Sequence, residues 1–278
     1  QGMVCHATYR DPEGKWVFPN DVVEGSGGDL QHRSSGAVVS KGRSEKMSKS
    51  KRNVVDPEDI ISTYGADTAR LFMLSDSPPD RDLDWTESGI EGAWRYVNRL
   101  WRLTDSVASK EGESAEYGVN LDVQTLLHKT IDGVSGDLEK FHFNKAVARI
   151  RELSNALEQE QNKLSPDQIQ HSLELLVCLV SPMMPHLAEE MWQKLGHDDM
   201  VTDQAWPIAD PEFLHEETVT VAVQVNGKLR GTVDLQKDCS QDLAEAEALK
   251  IDTVVVALGG KTPRKVIVVP NRIVNVVV

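Results

Sequence analysis

Lys46-Met47-Ser48-Lys49-Ser50 sets two ammonium groups among small hydroxyls, just ahead of a helix-start signal at Asp56-Pro57. Such a loop can offer both cations and several backbone N–H donors to a polyphosphate, neutralising charge that builds on a departing pyrophosphate. Lysine suits the task as a mobile point charge. A donor placed against developing charge in a water-poor site is worth about 3 kcal/mol, or ~100-fold in rate. The surrounding segment 41–52, KGRSEKMSKSKR, holds Lys41, Arg43, Lys46, Lys49, Lys51 and Arg52 against Glu45 alone. A basic stretch of this length can equally be a solvated turn or a localisation patch. No GxxxxGK[ST] occurs anywhere, so this is not a Walker loop.

The elements that must position this loop are legible in outline. Residues 1–40 mix β-favouring runs (Met3 to Tyr9, Trp16 to Phe18, Ala37 to Val39) with DPEG and EGSGG, which predicts hairpins and a loose insertion over about 10–40. Asp56 caps a helix with Pro57 in its first turn and Gly65 at its end; a second runs from Ala66 to Leu74 and stops at Ser77-Pro78-Pro79. Thr86 caps a long helix with Ile90, Ala93, Trp94, Val97, Leu100, Trp101 and Val107 on its apolar stripe, and Arg95, Asn98, Arg99 and Arg102 opposite. Helical patterns at about 122–139, 144–160, 167–181 and 186–195 predict an antiparallel bundle. From 218 the period changes to 2: TVTVAVQV, Asn226-Gly227, LRGTVDL, one helix over roughly 240–250, KVIVVP and RIVNVVV predict a small α+β domain. The expectation is a multidomain, mainly α chain divided at 1–75, 76–217 and 218–278.

Length and composition agree. The 278 residues are 40% hydrophobic and carry a net charge of −14, enough for roughly two domains. No window approaches the ~18 continuous apolar residues a spanning helix needs, so no membrane partner is expected. Cys5, Cys178 and Cys239 are widely spaced, supporting neither a disulfide framework nor a thiolate zinc site and favouring a reducing compartment. No protein-bound metal is expected; His186, between Pro185 and Leu187, reads as a helix-start residue and Asp67 with Arg70 as a pair one turn apart. An acidic chain would ordinarily argue against nucleic acid, yet residues from 218 onward hold eight Lys and Arg against six Asp and Glu. The start Gln1-Gly2-Met3 carries no visible address and suggests a longer protein with an upstream part.

KMSKS followed by KRNVVDPEDIISTYGADTARLFML resembles the signature loop of class I aminoacyl-tRNA synthetases and the segment after it. SPMMPHLAEEMW resembles the helical anticodon-binding domain shared by the leucine, isoleucine, valine and methionine enzymes. QGMV, SPPDRDLDWTESGIEGAWRYVNRLWRL, VQVNGKLRGTV and KVIVVPNRIVNVVV resemble the bacterial-type leucine family in particular, so the resemblance covers essentially the whole chain.

That resemblance implies the C-terminal part of an enzyme that activates leucine with ATP, accompanied by Mg²⁺, and transfers it to tRNA(Leu) in the cytoplasm. It divides the chain into the end of a catalytic domain, an anticodon-binding-type bundle and a tRNA-corner domain. It also gives the residues roles. Lys49 binds ATP phosphates and steadies the adenylation transition state, Lys46 supports it, the Met47 backbone lies near adenine, and Ser48 and Ser50 complete the loop. Arg95, Arg99 and Arg102 then contact the tRNA backbone, unless they are a solvated or acid-paired face. Lys228, Arg230, Arg264 and Lys265 are the tRNA-binding residues of the corner domain. Trp94, Trp101 and Trp192 are expected in the core rather than as base platforms. The HIGH-type motif and editing domain are missing, so the chain alone should be inactive without its N-terminal catalytic half. Alternatives are an isoleucine enzyme, whose usual cysteine zinc tail is not seen here, a valine enzyme, whose usual coiled-coil tail is not seen either, a freestanding tRNA-binding protein, or a split synthetase.

Overall fold

A computed structural model describes residues 2–109, 120–214 and 218–278, and the chain divides into two compact units, Gln1–Phe213 and Leu214–Val278. The first unit opens on a sheet in which β1 (Val4–Arg10) pairs antiparallel with β2 (Trp16–Val17) and with the later β5 (Ser40–Lys46), and parallel with β6 (Leu83–Asp84). Between them, β3 (Val22–Glu24) and β4 (Leu30–His32) form a separate two-stranded ribbon.

The basic segment expected as a loop is therefore half strand. Residues 40–46 are exposed except for a half-buried Glu45. They pair with β1 through the main chain, with Cys5 opposite Lys46 and His6 opposite Glu45. A strand held by backbone hydrogen bonds at a solvated edge carries no hydrophobic alternation to read, and cations suit such an edge. Conversely, Ala37 to Val39, expected as β, contributes only an isolated bridge between Gln31 and Val38.

Helices build the rest of this unit. Asp56 caps α1 (Pro57–Tyr64) by accepting from the Glu58 N–H, and Gly65, at φ 86°, ends it and starts α2 (Ala66–Asp76). Thr86 caps α3 (Glu87–Ala108), followed by α4 (Leu121–Glu139), α5 (Phe143–Glu160), α6 (Pro166–Val180) and α7 (Pro185–Lys194), each within a residue of the predicted limits. α2 packs on α3 and α5, α5 on α4 and α6, and α7 on α3 and α6. One apolar core runs unbroken from Ile60 and Phe72 through Leu100 and Leu153 to Val201, so the helices after the basic turn share their interior with the bundle.

Trp94 and Trp101 depart from the expected core: they are 43% and 36% exposed. The buried stripe of α3 is Ala93, Tyr96, Leu100, Leu103 and Val107, a 3–4 alternation that leaves 94 and 101 one 100° step past its edge. Trp192 is buried as expected.

In the second unit the strand order is β8-β7-β10-β9, from β7 (Thr218–Val225), β8 (Lys228–Gln236), β9 (Lys265–Val269) and β10 (Ile273–Val277). The predicted helix is α8 (Gln241–Leu249), but a second, α9 (Asp252–Leu258), was not anticipated. Its Val254-Val255-Val256 run favours strand by propensity; burial of Val254 among Val221, Val223 and Val276 overrides that, leaving Val256 80% exposed.

Candidate functional site

The cationic turn is built on one buried amide. After β5, the Met47 N–H donates to the Val4 carbonyl (3.0 Å), and a single 3₁₀ turn spans Lys49–Lys51. Asn53, 1% exposed, sits beneath it. Its Nδ2 lies 2.9 Å from the Glu45 carbonyl, 3.1 Å from that of His6 and 3.4 Å from that of Lys46. Its Oδ1 accepts from the Ser48 N–H at 2.9 Å. One side chain thus ties the end of β5, the neighbouring strand β1 and the start of the turn together. The Ser48 and Ser50 hydroxyls are joined at 2.8 Å, and Arg52 closes the turn in the left-handed region at φ 56°.

The six cations of the segment are not equivalent. Lys51 is held by Glu45, whose carboxyl is kept below its ordinary range chiefly by that hydrogen bond. Arg52 lies over the Phe18 ring, 5.1 Å from its centroid, and donates to the Trp16 carbonyl (3.4 Å), fastening the turn to the hairpin before it. Lys46 and Lys49 are exposed, and neither ammonium has an ion-pair partner among the described residues. Met47, between them in sequence, packs half-buried against the core while the two lysines stay exposed. Two unspent ammonium groups on a pinned turn suit an anionic, multiply charged ligand. A cavity of about 630 Å³ beside Lys49 also bears Asp21, Asp56 and Asp59, whose charges make that cavity unsuited to a triphosphate.

Below the turn, burial pushes the His6 imidazole under its ordinary value of 6.5, helped by Lys41 and opposed by Glu87, and its Nδ1 has no partner. The unfolded chain then takes up a proton that native His6 resists, so stability falls as pH drops through about 6.5. Urea midpoints between about pH 7.5 and 5.5 should decline less steeply for His6→Gln than for the native chain; equal slopes would show that His6 contributes nothing.

The helical cations divide in the same way. Arg99 donates to Glu158 of α5 (Nε–Oε2 2.6 Å), whereas Arg95 has only a loose 3.9 Å approach to Glu91 and Arg102 is exposed. Each Arg99–Glu158 side chain is 38% exposed, which limits the pair to about 1 kcal/mol. In the second unit, register brings Lys228 opposite Val225, Val225 beside Val276, and Val277 opposite Lys265, while the Arg264 N–H donates to the Val277 carbonyl. Lys228, Arg230, Arg264 and Lys265 therefore gather at one end of the sheet, from both its edges.

Two residues escaped sequence reasoning. Nothing in SKRNVV marks Asn53 as buried. Asp67 was expected to pair with Arg70, and does at 2.9 Å, but it is also buried and accepts from the Leu187 N–H (2.7 Å), with His186 Nδ1 at 3.1 Å. The carboxylate of α2 thereby stands at the first turn of α7, where a negative charge is favoured. Among the described residues no cluster of His, Cys, Asp or Glu suits a metal ion, and no helix is long and apolar enough to cross a membrane.

Residues 34–86 match the family model of class I tRNA synthetases (I, L, M and V), and residues 122–245 that of the anticodon-binding domain of tRNA ligase. Leucine–tRNA ligases of Paramagnetospirillum magneticum and Rhodospirillum rubrum are 56% and 53% identical over the whole chain. The chain spans about a third of the length of these relatives (33% of each). A crystal structure of an Agrobacterium radiobacter K84 LeuRS–tRNA–LeuAMS ternary complex is similar over 84% of this chain and 31% of that one, with a TM-score of 0.69 and 30% identity.

Proposed function

We propose that this chain, homologous along its whole length to leucine–tRNA ligases, supplies the ATP-phosphate-binding turn and a tRNA-binding surface for attachment of leucine to tRNA(Leu). The observation that carries this is the Asn53-pinned turn with Lys46 and Lys49 unpaired, in a segment matching the class I synthetases. Lys49 holds the β- and γ-phosphates as leucine's carboxylate attacks the α-phosphorus, and stabilises the charge that gathers on the leaving pyrophosphate. Lys46 adds its charge from the end of β5. Mg²⁺ enters with ATP, as oxygen ligands on the phosphates suit it.

The remaining chemistry, including the HIGH-type motif absent from these residues, belongs in this reading to the part of the relatives' length that the chain does not span. The 278 residues alone should form no leucyl-adenylate. The proposed compartment is the cytoplasm, on kinship with bacterial ligases.

For tRNA, the reading rests on Arg95 and Arg102 in the first unit and on the basic sheet end in the second. The 278-residue chain should bind a tRNA(Leu) transcript more tightly than an unrelated tRNA across a salt series. Charge reversal of Lys228, Arg230, Arg264 and Lys265 together should lower affinity at least tenfold at low salt and flatten the salt slope by up to about four contacts. Equal affinity for both RNAs at every salt concentration would remove the specific reading and leave a merely polyanion-binding surface.

A further inference from the structure

A cavity of about 380 Å³ opens between the α1–α2 junction, α3 and the first turn of α7. We propose that it receives one unpaired nucleobase bearing an exocyclic amino group; this rests on the reading of the chain as a tRNA-binding protein.

Its walls decide the class of ligand. Tyr64, Val97 and Trp101 give it flat apolar surface, and the indole is left 36% exposed although it sits beside a core with room for Leu100 and Leu103. His186 of α7 also lines it, its ring held by Asp67. That carboxylate is buried and already serves Arg70, the Leu187 N–H and His186, so it has little left for a ligand. Glu190, one turn beyond His186, also lines the cavity; it is exposed and has no ion-pair partner among the described residues. Aromatic surface and an unspent carboxylate in one cavity suit a planar group that donates N–H, and a carboxylate accepting from the amino group of cytosine is an established pairing. The volume lies at the small end of ligand pockets, ~300–1,000 Å³, enough for a base and not a base pair.

Two other ligand classes fit less well. A bare phosphate would face Asp67 and Glu190. A protein cation stacked on Trp101 would meet Arg102, the next residue along α3, and Arg95 two turns earlier, both exposed. A nucleotide satisfies both signs: its base enters the cavity and its phosphate meets the arginines. The base must come from a single strand, where it is unstacked and both its face and its amino edge are free.

The test uses the 278-residue chain with labelled hexamers of cytidine and of uridine, and with tRNA(Leu). The two hexamers carry the same phosphates, and only cytosine has the amino group. Native chain should bind the cytidine hexamer at least fivefold more tightly. Trp101→Ala should weaken that binding by about tenfold, as loss of one stacked base does, with Trp101→Phe retaining most of it. Glu190→Ala should bring the two hexamers to equal affinity. Far-UV circular dichroism checks that each variant is folded, and the comparison of hexamers on native chain needs no variant. Equal binding of both hexamers, or cytidine preference untouched by Glu190→Ala, overturns the pocket; if tRNA(Leu) binding is retained, the wider reading stands. Failure of native chain to bind tRNA(Leu) overturns both.

Discussion

Lys49→Ala, made in a complete leucine–tRNA ligase carrying this segment, is expected to lower leucine-dependent ATP–pyrophosphate exchange by about 10²- to 10³-fold, mostly in kcat. The expectation follows from what the turn does with its lysines. Lys51 is neutralised by Glu45, so Lys51→Ala should cost little, whereas Lys49 projects from the same turn with its charge unspent. A charge aimed at the departing pyrophosphate is worth more in the transition state than in bound ATP, so the ATP KM should move less than kcat. Lys49→Arg keeps the charge on a bulkier planar head and should recover part of the rate. Near-normal exchange by Lys49→Ala would sink the catalytic assignment. Equal losses for Lys49→Ala and Lys51→Ala would show instead that net charge of the segment, and not its geometry, is what matters.

The difference between these two lysines could not be read from the residues, and it shows where sequence reasoning stops. Signals that act within one turn were legible: Asp56 with Pro57, Thr86 three residues before Gly89, and Asn226-Gly227 between alternating strands all specify local backbone, and each stands where expected. Interactions that join distant residues were not. β5 is a strand because β1 lies alongside it, 30 or more residues earlier, and α9 is a helix because Val254 finds a core. The long helix was anticipated, but which of its tryptophans is covered depends on how its neighbours are disposed around it, and a stripe drawn by periodicity alone came out one residue too wide. Asp67 shows the same limit from the polar side, since its local partner Arg70 was foreseen and its partners 119 and 120 residues away were not.

Asn53 is where this limit bears on chemistry. Its amide faces three carbonyls and one N–H, all of which lose their partner in Asn53→Ala. Buried polar groups left unsatisfied cost about 1–3 kcal/mol each, so the turn should loosen or reorganise rather than persist. Asn53→Asp is the sharper substitution, because it keeps the shape and removes the donor: a carboxylate would confront the carbonyls of His6, Glu45 and Lys46. Burial and that repulsion raise the carboxyl pKa, and its protonated form regains one donor. The variant should therefore exchange pyrophosphate poorly at about pH 8 and recover toward about pH 6, while the native enzyme shows no such gain. If Asn53 works by holding Lys49, the two losses must not add: Asn53→Ala should cost tenfold or more in the native background and almost nothing once Lys49 is alanine. Additive losses would make Asn53 a folding residue only, and leave Lys49 to be positioned by something else.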